Sequence, residues 1–206
     1  SRMEQNGIGC VYIPHGIDCN LFKPLGEDKR KLRAALPSNT PIPDDAFLFV
    51  SAQANFGERK HIPLLLQTFA KFVDSHPEAH LYIHTNAVQD SPIGYDLPVL
   101  LEHLKLTKNV HWPLYNPIIE PAKDMDLCRM YNAGDAYITD SMGEGFGLPL
   151  LEAMACQLPV ITPDNSSAHE LVEGHGWLVD NVDPEEYVFY PLGVPTLQWH
   201  PAPNQR

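Results

Sequence analysis

Short apolar runs alternate with longer amphipathic stretches along most of the chain. The runs that predict strands are Gly9 to Ile13, Phe47 to Ser51, His80 to His84, Asn109 to His111, Ala136 to Thr139, Pro159 to Thr162 and Trp177 to Val179. Helices are predicted between them at Asp28 to Ala35, Pro63 to Asp74, Leu97 to Leu106, Asp126 to Ala133, Pro149 to Cys156 and Ala168 to Val172. Such alternation predicts an α/β fold, a Rossmann-like parallel sheet with helices on both faces. Ligands of such sheets bind at the carboxyl ends of the strands. The loops at those ends are Asn55 to Lys60, Thr85 to Val88 and Asp140 to Gly147.

The last of these loops leads into Glu144-Gly145-Phe146-Gly147-Leu148-Pro149-Leu150-Leu151-Glu152. Pro149 suits a first helical turn, where its missing N–H costs nothing. The amides of Gly147 and Leu148 then lie at a helix N-terminus, without intrahelical partners and at the positive end of the dipole. That is a ready seat for a diphosphate. Gly145 and Gly147 let the backbone approach a ligand closely. Glu144 precedes the helix and Glu152 lies inside it, so the two carboxylates can face different parts of one elongated ligand.

The segment Ser141 to Ile161, Ser-Met-Gly-Glu-Gly-Phe-Gly-Leu-Pro-Leu-Leu-Glu-Ala-Met-Ala-Cys-Gln-Leu-Pro-Val-Ile, closely resembles the donor-binding signature of retaining family 4 glycosyltransferases of GT-B fold. Further resemblances follow in the same order as in that family. They are Val11-Tyr12-Ile13-Pro14-His15-Gly16-Ile17-Asp18 with Phe22-Lys23-Pro24, Arg59-Lys60-His61, Met130-Tyr131-Asn132-Ala133-Gly134-Asp135, and Gly176-Trp177-Leu178-Val179. Together they cover Val11 to Val179 and are more specific than any one motif.

The resemblance implies the C-terminal half of a GT-B enzyme that binds a UDP-, GDP- or ADP-linked sugar and transfers the sugar with retention. It assigns catalytic roles to Glu144 and Lys60. Glu144 is expected to orient the sugar or stabilise its developing positive charge, and Lys60 to hold phosphate. A lone lysine at a helix start is more often solvated, so Lys60 rests on the resemblance. The donor-binding set adds Asn55, Arg59, Gly145, Phe146, Gly147, Leu148 and Glu152, with Glu152 accepting from ribose hydroxyls. Gly16 is expected at the cleft floor, and Tyr115 and Asn116 near the base, although a plain loop explains those two equally well. The family has arginine where this chain has Asn55, so either Arg59 swings in as the second cation or the phosphate clamp is weaker here. Gln157 stands where the family has glycine, in a helix-to-strand turn.

The formal charge is −12, and after Arg129 no Lys or Arg occurs until Arg206. A nucleic-acid groove needs clustered Lys and Arg, so nucleic acid is excluded as a partner. The histidines show no metal-ligand spacing, and neither a metal nor a cofactor is expected. The cysteines lack Cys-x-x-Cys spacing, which fits reduced thiols and a cytoplasmic location. The resemblance leaves room for peripheral membrane association of a longer enzyme.

At 206 residues and 44% hydrophobic, the chain can bury one core. Residues 1–24 are expected to form a strand and loop leading in from a missing N-terminal domain that binds the acceptor. Residues 25–188 are expected to form the nucleotide-sugar domain, and 189–206 an irregular proline-rich tail at a truncated end. Two other classes fit the same fold: a sugar-nucleotide epimerase and a non-catalytic nucleotide-binding domain. The first has no need of the Glu144 to Glu152 pattern, and the second could lose Lys60 or Glu144.

Overall fold

The computed structural model describes residues 6–7, 9, 11, 13–88 and 94–180. Six parallel strands form one sheet: β1 (Phe47–Ala52), β2 (Ala79–His84), β3 (Val110–His111), β4 (Ala136–Ile138), β5 (Val160–Pro163) and β6 (Trp177–Val179). Among the described residues the helices are α1 (Lys29–Ala35), α2 (Ile62–Val73), α3 (Leu97–His103), α4 (Asp124–Ala133), α5 (Leu148–Ala155) and α6 (Ser166–Val172). The strands lie in the order β3-β2-β1-β4-β5-β6, so the chain runs outward on one side of β1, crosses back through α4, and then runs outward on the other side.

Two apolar cores result, one on each face. Leu48, Val50, Tyr82 and Tyr137 point to the face covered by α1, α4, α5 and α6, where they meet Leu32, Tyr131, Leu150 and Val172. Phe49, Leu81 and Ile83, which alternate with them along β1 and β2, point to the face covered by α2 and α3. Helix α2 shows why it forms there: Ile62, Leu65, Leu66 and Phe69 recur at helical spacing and are all buried. Helices α1 and α3 are started by Asp28 and Asp96, whose carboxylates accept from the amides of Arg30 at 2.9 Å and Val99 at 3.2 Å.

The expected strand at Gly9 to Ile13 is corrected as far as it is described. Gly9, Val11 and Ile13 belong to no strand, and Val11 and Ile13 are exposed, whereas a strand of a covered sheet would bury them. Cys10 and Tyr12 lie outside the described residues, as does the expected tail at 189–206. Helix α4 starts at Asp124 rather than Asp126, and α6 at Ser166 rather than Ala168. Gln157 holds a left-handed φ of 60° in the turn from α5 to β5, a conformation that costs an L side chain more than glycine. No helix among the described residues is long and apolar enough to cross a membrane.

Candidate functional site

Strands β1 and β4 are neighbours at the centre of the sheet, and the direction of winding reverses between them. Helices leave these two strands on opposite faces, which opens a crevice at their carboxyl ends. The loop after β1 carries Asn55, Arg59 and Lys60, and the loop after β4 carries Asp140 to Gly147. The two are joined directly: the Met142 amide donates to the Arg59 carbonyl at 2.9 Å, and the Ser141 hydroxyl donates to the same carbonyl at 3.3 Å.

Arg59 and Lys60 are consecutive, and on a regular element they would point apart. Gly57 has φ 65° and ψ −179°, a region open to glycine, and a single 3-10 turn follows over Glu58–Lys60 before His61 enters α2 with φ 50°. This irregular path brings both cations to one carboxylate. Lys60 Nζ donates to Glu144 Oε1, while Arg59 Nη1 lies 3.2 Å from Glu144 Oε2 and donates to the Gly143 carbonyl at 2.6 Å. His61 Nδ1 lies 3.7 Å from Asp140 Oδ2 beside them.

Asn55 takes another part. It is buried, its amide donates to the carbonyls of Asn86 at 3.1 Å and Tyr95 at 2.6 Å, and its oxygen accepts from the Tyr95 amide at 2.9 Å. Both of its side-chain protons are thereby used inside the protein. Asn55 thus forms a bracket that ties the loop after β1 to the segment around Tyr95.

The loop bearing Glu144 is anchored from its other side by the turn after β5. Ser166 Oγ accepts from the Glu144 amide at 3.0 Å, Ser167 Oγ donates to the Glu144 carbonyl at 3.2 Å, and Asn165 Nδ2 donates to the Ser141 carbonyl at 3.0 Å. Ser166 holds φ 45° in doing so. Sequence reasoning missed these three residues, although a run of small polar side chains just past a buried strand was a usable signal. Burial pushes the Glu144 carboxyl up, but the charge and hydrogen bond of Lys60, with Ser141 and Arg59, outweigh it and hold the group below the usual carboxylate range. For Lys60 the balance goes the other way: burial lowers the ammonium more than Glu144 raises it, with Arg59 adding to the lowering. The pair is thus unequal, its carboxylate firmly charged and its ammonium held at some cost.

Helix α5 opens at Gly147, with φ 90°. A Cβ there would press on Leu150 at 3.1 Å and Leu171 at 3.3 Å, and the left-handed φ itself favours glycine. Among the described residues, the amides of Gly145, Phe146, Gly147 and Leu148 have no hydrogen-bond partner within the chain. Phe146 meets the ring of His15, the residue before Gly16, edge-on at 5.1 Å. Glu152 lies one turn further along α5 and accepts from the Tyr131 hydroxyl at 2.7 Å. Burial raises its carboxyl above the usual range, the Tyr131 bond offsets part of this, and Asp124 adds to it. Tyr131, from α4, was not among the expected site residues.

Tyr115 and Asn116 lie past β3, across β2 from the ion cluster. Tyr115 sets its ring against His84 at 6.1 Å, and the Asn116 side chain accepts from the Ile118 amide at 2.9 Å in a local turn. His80, which shares a strand face with His84, bonds instead to the buried His111 on the next strand at 2.9 Å. Among the described residues no cluster of His, Cys, Asp or Glu is arranged to hold a metal ion.

The family model described as glycosyl transferases group 1 matches residues 33–189. The D-inositol 3-phosphate glycosyltransferase of Corynebacterium jeikeium (strain K411) is 28% identical over 180 residues, which is 85% of this chain and 41% of that protein. The chain thus spans about two fifths of that relative's length. Among solved structures, the C-terminal domain of the glycosyl transferase group 1 family protein LpcC from Francisella tularensis matches with a TM-score of 0.62 at 19% identity, covering 82% of each chain. Anabaena HepE, solved in complex with UDP and glucose, matches with a TM-score of 0.61 at 23% identity, over 81% of this chain and 42% of that one. These structures share the fold of this chain, that of the C-terminal domain of GT-B glycosyltransferases.

Proposed function

The chain belongs to the glycosyl transferases group 1, and from that premise we propose that it is the donor-binding half of a retaining glycosyltransferase whose substrate is a UDP-, GDP- or ADP-linked sugar. The observation that carries this reading is the gathering of Arg59 and Lys60 on Glu144, in the crevice between β1 and β4, beside the unpartnered amides that open α5. A diphosphate fits cations and amides arranged so. That HepE was solved with UDP and glucose supports the same class of ligand.

The chemistry follows from the charge that develops. As the bond between sugar and diphosphate lengthens, negative charge grows on the leaving phosphate and positive charge on the sugar. Lys60, Arg59 and the amides of Gly145 to Leu148 are donors already fixed where the first appears, so little reorganisation is needed during reaction. Glu144 serves the second as an electrostatic and orienting group, not as a nucleophile, and the leaving phosphate takes the acceptor's proton. Glu152, held in line by Tyr131, accepts from the ribose hydroxyls, while Tyr115 and Asn116 flank the base and Gly16 the floor of the cleft. No metal or cofactor enters this scheme, because the phosphates are neutralised by side chains and amides. The acceptor is bound by a further domain.

A thermal-shift panel of UDP, GDP and ADP with their sugar conjugates, followed by calorimetry of the best ligand, tests the proposal. A raised melting temperature with at least one nucleoside diphosphate is expected. No shift with any of them at millimolar concentration would refute it.

A further inference from the structure

We propose that Glu144 is a resident anion of the diphosphate site, which occupies Lys60 and Arg59 until a nucleoside diphosphate displaces it, and that this exchange is what releases its carboxylate toward the sugar. The inference rests on the donor reading above and adds to it an order of events. Each oxygen of Glu144 is engaged by a different cation, Oε1 by Lys60 and Oε2 by Arg59. One anion bridging two adjacent cations is the arrangement a phosphate would make there. So long as those bonds persist, both the cations and the carboxylate are spent on each other.

The geometry also says which part moves. The backbone of Glu144 is held at both its amide and its carbonyl by Ser166 and Ser167. The Arg59 carbonyl is tied to Met142 and Ser141. The exchange therefore occurs by rotation of the Glu144 side chain, with the loops in place. The Lys60 side chain is 12% exposed, so leaving it unpaired in the absence of ligand would be costly, and an internal anion removes that cost. A diphosphate brings more negative charge than one carboxylate and can take both cations at once. Part of its binding energy is then spent on separating Glu144 rather than on affinity, and it reappears as a charged carboxylate free beside the sugar.

The test is a calorimetric cycle on the full chain with UDP, GDP and ADP, comparing the parent, Glu144→Gln, Lys60→Met and the double variant. Removing the resident anion is expected to tighten binding of the preferred diphosphate about fivefold or more in the parent background, the scale of a charge-assisted contact at a partly exposed site. In the Lys60→Met background the gain should shrink to about twofold, because only the contact to Arg59 remains to be released. An equal gain in both backgrounds would mean simple repulsion between carboxylate and phosphate, and no gain at all would mean that Glu144 does not compete; either overturns the exchange. Glu144→Ala, measured in parallel, must move in the same direction as Glu144→Gln. Failure of the parent to bind any of the three nucleotides would instead refute the donor reading, and the exchange with it.

Discussion

Asp135 is the residue whose loss the structure translates most directly into stability. Its carboxylate lies at the amino ends of β1 and β4, where it accepts from Arg33 Nη2 at 2.5 Å, Lys29 Nζ at 2.8 Å and the Leu48 amide at 2.8 Å. Arg33 is buried, and its other donors go to the carbonyls of Ala133 at 3.0 Å, Ala46 at 2.8 Å and Asp44 at 3.4 Å. Asp135→Ala therefore leaves a buried guanidinium without its counter-charge and the Leu48 amide without its partner. Removing one member of a buried pair costs about 3–5 kcal/mol, and the three carbonyls that Arg33 keeps put the expectation at the lower end, about 3 kcal/mol. Asp135→Asn retains an acceptor and should cost about half as much, as a hydrogen bond to a charged group does. Urea unfolding reads both as a lower midpoint at constant slope. Because the ion cluster lies at the opposite ends of the same strands, nucleotide affinity of the folded variant should stay within about twofold of the parent, since distant sites are close to additive. A loss under about 1 kcal/mol for Asp135→Ala would refute the claim that Arg33 depends on this carboxylate.

Lys60→Ala is expected to weaken nucleoside diphosphate binding by about 1.5–3 kcal/mol, and Arg59→Ala by a similar amount, since each loses a charge-assisted contact; a parent-like titration for Arg59→Ala would leave Lys60 and the helix end as the whole phosphate site. Glu152→Ala should weaken sugar nucleotide and free nucleotide alike by about 1–3 kcal/mol, whereas Glu144→Gln in the longer enzyme should lower turnover, and steady-state kinetics with product inhibition separates the two. Burial holds the imidazoles of His84 and His111 at about 4, with His80 adding to the lowering for His111, while the unfolded chain protonates them near 6.5. Their neutral forms are favoured on folding, so the stability they contribute is complete above about pH 6.5 and is lost as the pH falls toward 4, on the order of 2 kcal/mol for each group. His84→Gln, which leaves the bond between His80 and His111 intact, should flatten that part of a melting-temperature profile, and an unchanged slope would refute its share.

The strands of this fold were legible because a parallel sheet covered on both faces buries consecutive residues. Phe47 to Ala52 and Ala79 to His84 read as mostly apolar runs interrupted by Ser51, His80 and His84, with only Phe47 among these exposed. Local pattern misled at Gly9 to Ile13, where Val and Ile alternate as in a strand but Val11 and Ile13 have no layer to cover them. Helix starts were missed where a side chain did something a propensity does not encode, as Ser166 does by taking a left-handed φ to reach Glu144. The glutamates and the paired cations were visible as motifs. Their meeting was not, since Lys60 and Glu144 are 84 positions apart and come together only because β1 and β4 are neighbours. The bracket at Asn55 was equally hidden, because its partners at Asn86 and Tyr95 lie past the next strand.

The crevice also marks the line where the two apolar cores divide. The turn that supplies cations runs into α2 and is seated on one core, while the loop that supplies the carboxylate runs into α5 and is seated on the other. The paired cations and the carboxylate that bridges them are therefore underwritten by separate sets of packed side chains. Because the Met142 amide and the Ser141 hydroxyl bond to the Arg59 carbonyl across that line, repacking beneath either helix is felt by the loop on the other side.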